Sequence, residues 1–293
     1  MLFTSRCCSL FLTPPSSVQV FCFKNRDETS DTTKGDSSNA DGKKYFNQWI
    51  HRQIFKNKTC DLFPFFDYMK KYAVIVAGGS GTRMGYNMPK QFLLIKGKPL
   101  LWYTIDAFLR AFDDIAIILV LPEIHFAKGR GIIAQFNHTD KIVLVNGGNT
   151  RYGSVKNGLQ LVKEASVVFV HDGVRCLISV PLIQRCFNQA LLKGSAVPAV
   201  SATDSIRIFS NGKHAVADRQ QVRVIQTPQT FLSSIILPAF EQEYDETFTD
   251  EATVVEAYGT EVFLTEGEYD NIKITRPVDL MIAERMIEER SAL

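Results

Sequence analysis

From residue 72 onward the apolar residues fall into two alternating patterns. YAVIVA (72–77), IAIILVL (115–121), KIVLV (141–145), SVVFV (166–170) and SAVPAV (195–200) are continuous apolar runs of strand length. Between them the apolar positions take helical spacing: in LLWYTIDAFLRAF, Leu101, Ile105, Phe108 and Phe112 share one stripe. Residues 151–163 and PLIQRCFNQALL also read as helices. Strands apolar on both faces and separated by helices predict a parallel sheet covered by helices, an α/β domain. The alternation breaks at about residue 201. From there to Phe231 the chain is polar and β-leaning, and an NGK turn (211–213) lies between DSIRIF and HAVADR, which predicts a hairpin arm over 201–231. A short strand at 261–264 and a last helix, RPVDLMIAERMIEER with Pro277 in its first turn, complete the pattern.

Residues 1–68 do not share it. TSDTTKGDSSNADGKK (29–44) has no apolar face to bury and is expected to be poorly ordered. The apolar stretch before it is broken by Pro14 and Pro15 and lacks a clear cleavage site, so it makes a poor secretory signal. The domain is expected to span 69–293, starting at Met69, with 1–68 an extension or a misplaced start. The alternative, an organelle-targeting segment, is opposed by Asp27, Glu28 and Asp31.

Charge and cysteine usage narrow the function classes. Residues 1–68 hold 9 of the 33 Lys/Arg and 7 of the 31 Asp/Glu, so 24 cations face 24 acids in the domain. A neutral domain argues against binding nucleic acid through bulk charge, and no apolar run is long enough to span a bilayer. Cys176 and Cys186, the domain's two cysteines, are not in metal-ligand spacing, which predicts a reduced protein without a zinc site. The expected location is the cytoplasm, or a plastid-like compartment if the source is eukaryotic.

Four clusters carry candidate chemistry, each placed just after an expected strand, where open parallel sheets bind ligands. The first is the loop after YAVIVA, with Gly78, Gly79 and Gly81 followed by Arg83 and Pro89-Lys90-Gln91. Met84 stands where a dinucleotide fingerprint needs glycine, and no GK[ST] ends the loop. Glycines still let backbone N–H groups approach a polyanion, with Arg83 and Lys90 as flanking charges. NGGNTRYGS (146–154) offers Asn149, Arg151 and Ser154 to a base edge or a ribose. HDGVR (171–175) offers Asp172 to Mg²⁺ and Arg175 to a phosphate. His171 reads as a packed histidine. In DNIKITRP (270–277), Lys273 is expected on a strand, its side chain opposite Ile272 and Ile274.

Taken together, VAGGSGTRMG, MPKQF, NGGNTRYGSVKNGL, VHDGVR, ADRQQVRVIQTPQTF, TDEATVVEAYG and DNIKITRPVDL occur in an order that resembles the 2-C-methyl-D-erythritol 4-phosphate cytidylyltransferases. The likeness covers residues 70–290. It implies a Rossmann-like nucleotidyltransferase fold, a mostly parallel twisted sheet flanked by helices with a protruding β-arm. It implies transfer of CMP from CTP to methylerythritol phosphate with Mg²⁺. Arg83, Lys90 and Lys273 would be catalytic. Ala77, Gly78, Gly79, Gly81, Gly148, Asn149, Ser154 and Asp172 would meet the nucleotide, with Asp172 serving the metal. Arg175, Asp204, Ser205, Arg219 and Thr227 would meet the acceptor. In the family the arm is exchanged between subunits, which implies a homodimer. Three positions depart from the pattern: Cys176 where proline is common, Asn149 where an acid is common, and Ser205 for threonine. The alternatives are a ribitol-5-phosphate cytidylyltransferase and a nucleotide-binding module without turnover.

Overall fold

The computed structural model describes residues 69–79 and 88–291. In chain order the strands and helices begin with β1 (Lys70–Val76), β2 (Leu94–Ile95), β3 (Lys98–Pro99), α1 (Leu100–Ala111), β4 (Ile115–Leu121), α2 (Phe126–Ile133), β5 (Ile142–Asn146), α3 (Arg151–Leu159) and β6 (Ser166–Asp172). They continue with α4 (Val180–Lys193), β7 (Ser195–Ser201), β8 (Ile206–Ser210), β9 (Lys213–Ala217), β10 (Arg223–Ile225), β11 (Gln229–Leu232), α5 (Ser233–Ala239), α6 (Glu251–Ala257), β12 (Leu264–Glu266) and α7 (Pro277–Ser291). The expected 1–68 extension lies outside the described residues, as does the loop segment 80–87 with Gly81 and Arg83.

The main sheet runs β10-β7-β11-β6-β1-β4-β5, with β12 also paired to β7. β6, β1, β4 and β5 are mutually parallel. Their side chains alternate between two helix layers. Ala73, Ile75, Ile117, Leu119, Val167 and Phe169 pack with α1 and α4, whereas Val74, Ile118, Val120, Val168 and Val170 pack with α3, α5 and α6. Burial on both faces is why β1, β4 and β6 read as unbroken apolar runs, whereas the edge strand β5 leaves Val143 exposed. All seven residues of β6, at the centre, are buried. α7 closes a third, smaller cluster over Ile95, Leu177 and Ile274. Among the described residues no helix is long and apolar enough to cross a membrane.

The hairpin β8–β9 projects where the sequence placed it. Asn211 (φ 50°) and Gly212 (φ 73°) make the tip, two successive left-handed residues that match the twist of the paired strands. The arm is shorter than expected. From Arg223 the chain rejoins the sheet: β10 pairs antiparallel with β7, and β11 inserts antiparallel between β6 and β7. Gln226, Thr227, Gln229, Thr230 and Phe231 are buried. The polarity that suggested an arm through 231 belongs to buried side chains whose hydrogen bonds are made inside the domain, so composition alone could not separate them from surface. The strand expected at 261–264 also falls later, at β12.

Candidate active site

A cavity of about 670 Å³ opens at the carboxyl ends of β1, β5 and β6. Ala77, Gly78, Gly79, Lys90, Gly148, Asn149, Arg151, Ser154, Asp172 and Lys273 all line it, so the four sequence clusters meet in one place.

Each wall is held by short-range bonding. The buried Gln91 side chain donates from Nε2 to the Ala77 carbonyl (2.7 Å), tying the segment after the glycine loop to the end of β1. Lys90 donates from Nζ to the Ile274 carbonyl (2.9 Å), which joins that segment to the loop bearing Lys273. On the facing wall Thr150 caps α3, its Oγ1 accepting from Gly153 N (3.0 Å). Ser154 Oγ accepts from Gly148 N (3.1 Å) and donates to the Thr150 carbonyl (2.9 Å). A Cβ on Gly148 would lie 2.7 Å from the Gly153 carbonyl carbon, so this turn admits glycine alone. Ser154 therefore shapes the loop that presents Asn149, and its hydroxyl is already engaged.

Asp172 ends β6 and is the centre of charge. Lys273 Nζ approaches its Oδ2 at 2.8 Å and Arg175 Nε at 3.6 Å, while Arg151 reaches Oδ1 at 3.4 Å. Burial alone would raise the Asp172 carboxyl, but the Arg151 guanidinium and the Lys273 ammonium outweigh it and hold it well below the usual carboxylate range. Lys273 does not sit on a strand as expected; residues 271–275 form a loop bonded to Val174 through Ile274 N (3.0 Å). The expected division of sides nevertheless holds, with Ile272 and Ile274 packed under α7 and Lys273 turned to Asp172.

His171 is a packed histidine. It is fully buried, edge-on to Phe108 (5.3 Å), with Nε2 facing the Arg175 carbonyl (3.3 Å) and Nδ1 facing Thr227 Oγ1 (3.0 Å). Burial pushes its pKa down to about 3, so it stays neutral.

Several expected acceptor residues lie elsewhere. Thr227 is buried, and its Oγ1 accepts from Asp172 N (3.1 Å) beneath the cavity floor. Arg175 does not line the cavity; its Nη1 donates to the Asn271 carbonyl (2.7 Å), so it braces the Lys273 loop. Asp204, Ser205 and Arg219 are exposed at the base of the arm. Arg219 donates to the Thr203 carbonyl (3.1 Å) and lines a separate hollow with Arg223.

Two residues outside the expected set organise the site. Asn271, fully buried, donates to the Thr227 carbonyl (2.8 Å). Glu251, 1% exposed, receives both terminal nitrogens of Arg151, the longer contact being 3.1 Å. The sequence did carry a signal for Glu251: in EATVVEA it falls on the same helical stripe as the buried Val254 and Val255.

Two carboxylates line the cavity, Asp172 at the end of β6 and Glu123 after β4, and among the described residues no group of three or more His, Cys, Asp and Glu side chains could hold a metal. This donor set suits Mg²⁺ that arrives on phosphate oxygens and takes one or two carboxylates from the protein.

A glycine-lined, cation-bearing cavity at the carboxyl ends of a parallel sheet is a binding site for a phosphorylated ligand in an α/β protein. The family model for IspD, 2-C-methyl-D-erythritol 4-phosphate cytidylyltransferase, matches residues 72–289. The chain is 42% identical over 219 residues to the 2-C-methyl-D-erythritol 4-phosphate cytidylyltransferase of Bacteroides fragilis, a match covering 75% of this chain and 100% of that protein. It is 44% identical over 220 residues to the protein of that name from Azobacteroides pseudotrichonymphae, covering 75% and 99%. Among solved structures, the 4-diphosphocytidyl-2C-methyl-D-erythritol synthase of Anaerococcus prevotii aligns with a TM-score of 0.65 at 28% identity, covering 75% of this chain and 99% of that one. The 2-C-methyl-D-erythritol 4-phosphate cytidylyltransferase of Thermus thermophilus aligns with a TM-score of 0.57 at 30% identity, covering 73% and 98%. The chain belongs to the 2-C-methyl-D-erythritol 4-phosphate cytidylyltransferase family.

Proposed function

We propose that this chain transfers CMP from CTP to 2-C-methyl-D-erythritol 4-phosphate, giving 4-diphosphocytidyl-2-C-methyl-D-erythritol and pyrophosphate in isoprenoid biosynthesis. The observation that carries the reading is the pairing of Lys273 with Asp172 at the mouth of a cavity that also presents Lys90 and the glycine loop. An oxygen of the acceptor's phosphate forms the new bond to the α-phosphorus of CTP. The bond from that phosphorus to the bridging oxygen of the β-phosphate breaks, and pyrophosphate leaves. The nucleophile is already anionic near neutral pH, so no general base is needed, and the neutral His171 is not asked to supply one.

The barrier is the approach of an anion to a polyanion. Lys90, Lys273 and Arg83 offset that repulsion and stabilise charge on the pentavalent centre and on pyrophosphate. The backbone at Ala77, Gly78 and Gly79 receives the phosphates, and Gly148 with Asn149 receives the cytosine. Asp172 would hold Mg²⁺, which would supply charge neutralisation for the phosphates.

Arg219, Asp204 and Ser205 lie away from the cavity on the chain they belong to, and Ile208, Phe209 and Val216 of the hairpin are exposed, Phe209 by 74%. Both features support a homodimer in which each arm reaches the partner's cavity and brings Asp204, Ser205 and Arg219 to the acceptor side, while Arg175 and Thr227 brace the cavity from beneath. The domain is taken to be 69–293 and its compartment the cytoplasm, or a plastid-like organelle in a eukaryote, which imaging of a C-terminally tagged chain decides.

The test is pyrophosphate release from CTP and Mg²⁺ with methylerythritol phosphate or ribitol 5-phosphate as acceptor. Release with the first alone is expected; preference for the second reassigns the acceptor, and CTP binding without release with either refutes the reading. Mixing inactive Arg219→Ala and Lys273→Ala chains tests the dimer. Random re-pairing should restore about a quarter of the sites, and no recovery would show that each chain builds its own site.

A further inference from the structure

Glu251 is a buried acid that the chemistry above does not use. It opens α6, whose first turn is fixed to the sheet: Gln229 accepts from Ala252 N (2.8 Å) and donates to Asp250 Oδ2 (2.8 Å). Asp250 and Thr253 cap each other across the same turn. Its carboxylate is therefore placed by the fold, and both its oxygens take terminal nitrogens of Arg151.

What Arg151 then has left for Asp172 is limited. Nε and Nη2 reach Oδ1 at 3.4 Å each, long for charged hydrogen bonds, and Oδ2 remains with Lys273. Arg151 lines the cavity and Glu251 does not. We propose that Glu251 is a positioning residue: by taking the fork of Arg151 it keeps that guanidinium from closing on both oxygens of Asp172 or reaching further into the cavity, so that Asp172 keeps Oδ2 for Lys273 and for a divalent cation arriving with the phosphates. The inference rests on the nucleotidyl-transfer reading and adds a residue to it.

Without the Glu251 charge, the best partners for the Arg151 fork are both oxygens of Asp172 and the arriving triphosphate. Each would make the nucleotide bind as well or better, because one negative charge beside a polyanion site is gone, while the carboxylate that should face the reaction is engaged. Binding and rate should move apart.

The experiment measures CTP affinity by calorimetry without acceptor, and single-turnover bond breaking with acceptor, in the full-length wild type, Glu251→Gln, Arg151→Met and the double variant. Expected for Glu251→Gln is a rate loss of about tenfold or more with a CTP Kd unchanged or lower. In the Arg151→Met background the same substitution should cost little further rate, since it acts through the arginine. A CTP Kd that weakens together with rate and melting temperature, or rate losses that multiply in the double variant, would overturn the proposal in favour of a packing role. Should Glu251→Gln fail to fold, Glu251→Asp keeps the charge and shortens its reach; lost rate with retained CTP affinity supports the proposal, and lost affinity overturns it. A wild type that binds CTP and breaks no bond would count against the proposed reaction, whereas the placement of Arg151 is still decided by comparing the Kd values.

Discussion

Replacing Lys273 by alanine separates the chemical role of this cation from any role in folding. Its side chain is 41% exposed and pairs with Asp172 at 2.8 Å. A pair at the solvent edge contributes up to about 1 kcal/mol to stability, and Asp172 keeps Arg151 and Arg175 after the substitution. The melting temperature should therefore fall by no more than about 4 °C. The effect on rate is much larger. A cation about 4 Å from a phosphate oxygen, at an effective dielectric near 20, interacts by about 4 kcal/mol, and losing one donor to developing charge in comparable sites costs about 3 kcal/mol. That corresponds to a loss of more than about a hundredfold in kcat. Coupled pyrophosphate release under saturating CTP, acceptor and Mg²⁺ reads the rate, and a thermal melt reads the fold. Turnover within threefold of wild type would remove Lys273 from the mechanism. An activity loss accompanied by a melting temperature lowered by 10 °C or more would show that the lysine holds the site together instead.

Chelating divalent cations should stop turnover and leave the melting temperature unchanged, because on the proposed reading Asp172 would hold a metal that arrives with the nucleotide; a lower melting temperature would indicate a structural ion. Gly158→Ala should destabilise by about 1–3 kcal/mol in a denaturant titration, since its Cβ would lie 2.6 Å from Val74 Cγ1 and 3.1 Å from Val120 Cγ2. Cys176 and Cys186 are both buried, and burial pushes each thiol up to about 12. Peptide mapping after alkylation at pH 8 should find both unmodified in the native chain and modified after unfolding. Asp250→Ala removes the cap of α6 and a partner of Gln229, which should cost about 1 kcal/mol of stability.

The parallel half of the sheet was legible because its inner strands β1, β4 and β6 are buried on both faces and its helices on one. IAIILVL coincides with β4, and the stripe through Leu101, Ile105 and Phe108 is the buried face of α1. The hairpin tip at Asn211-Gly212 was legible for a local reason, two residues that tolerate positive φ between β-forming stretches. β11 was not. Gln229 and Thr230 read as surface until the partners that let them be buried are known, and those partners, such as Asp250, are distant in sequence. The site divided along the same line. Lys90 and Asn149 announced themselves as charged or polar residues after expected strands, Asp172 as a carboxylate at a strand end and Lys273 as a cation between two apolar neighbours, and all four line the cavity. Arg175 and Thr227 carry the same chemistry but spend it on the Asn271 carbonyl and the Asp172 amide. Residue type could not reveal that direction.

The arm leaves the sheet after β7 and returns through β10, with Arg223 paired to Ser201 at the stem. Residues 202–222 thus depart and come back at a single closed gate, and no strand register elsewhere depends on their length. Lengthening such an excursion costs chain entropy only slowly. The part of the chain that would choose a partner can therefore drift, shorten or be exchanged while the nucleotide cavity keeps its geometry, a modularity that lets assembly and chemistry evolve at separate rates.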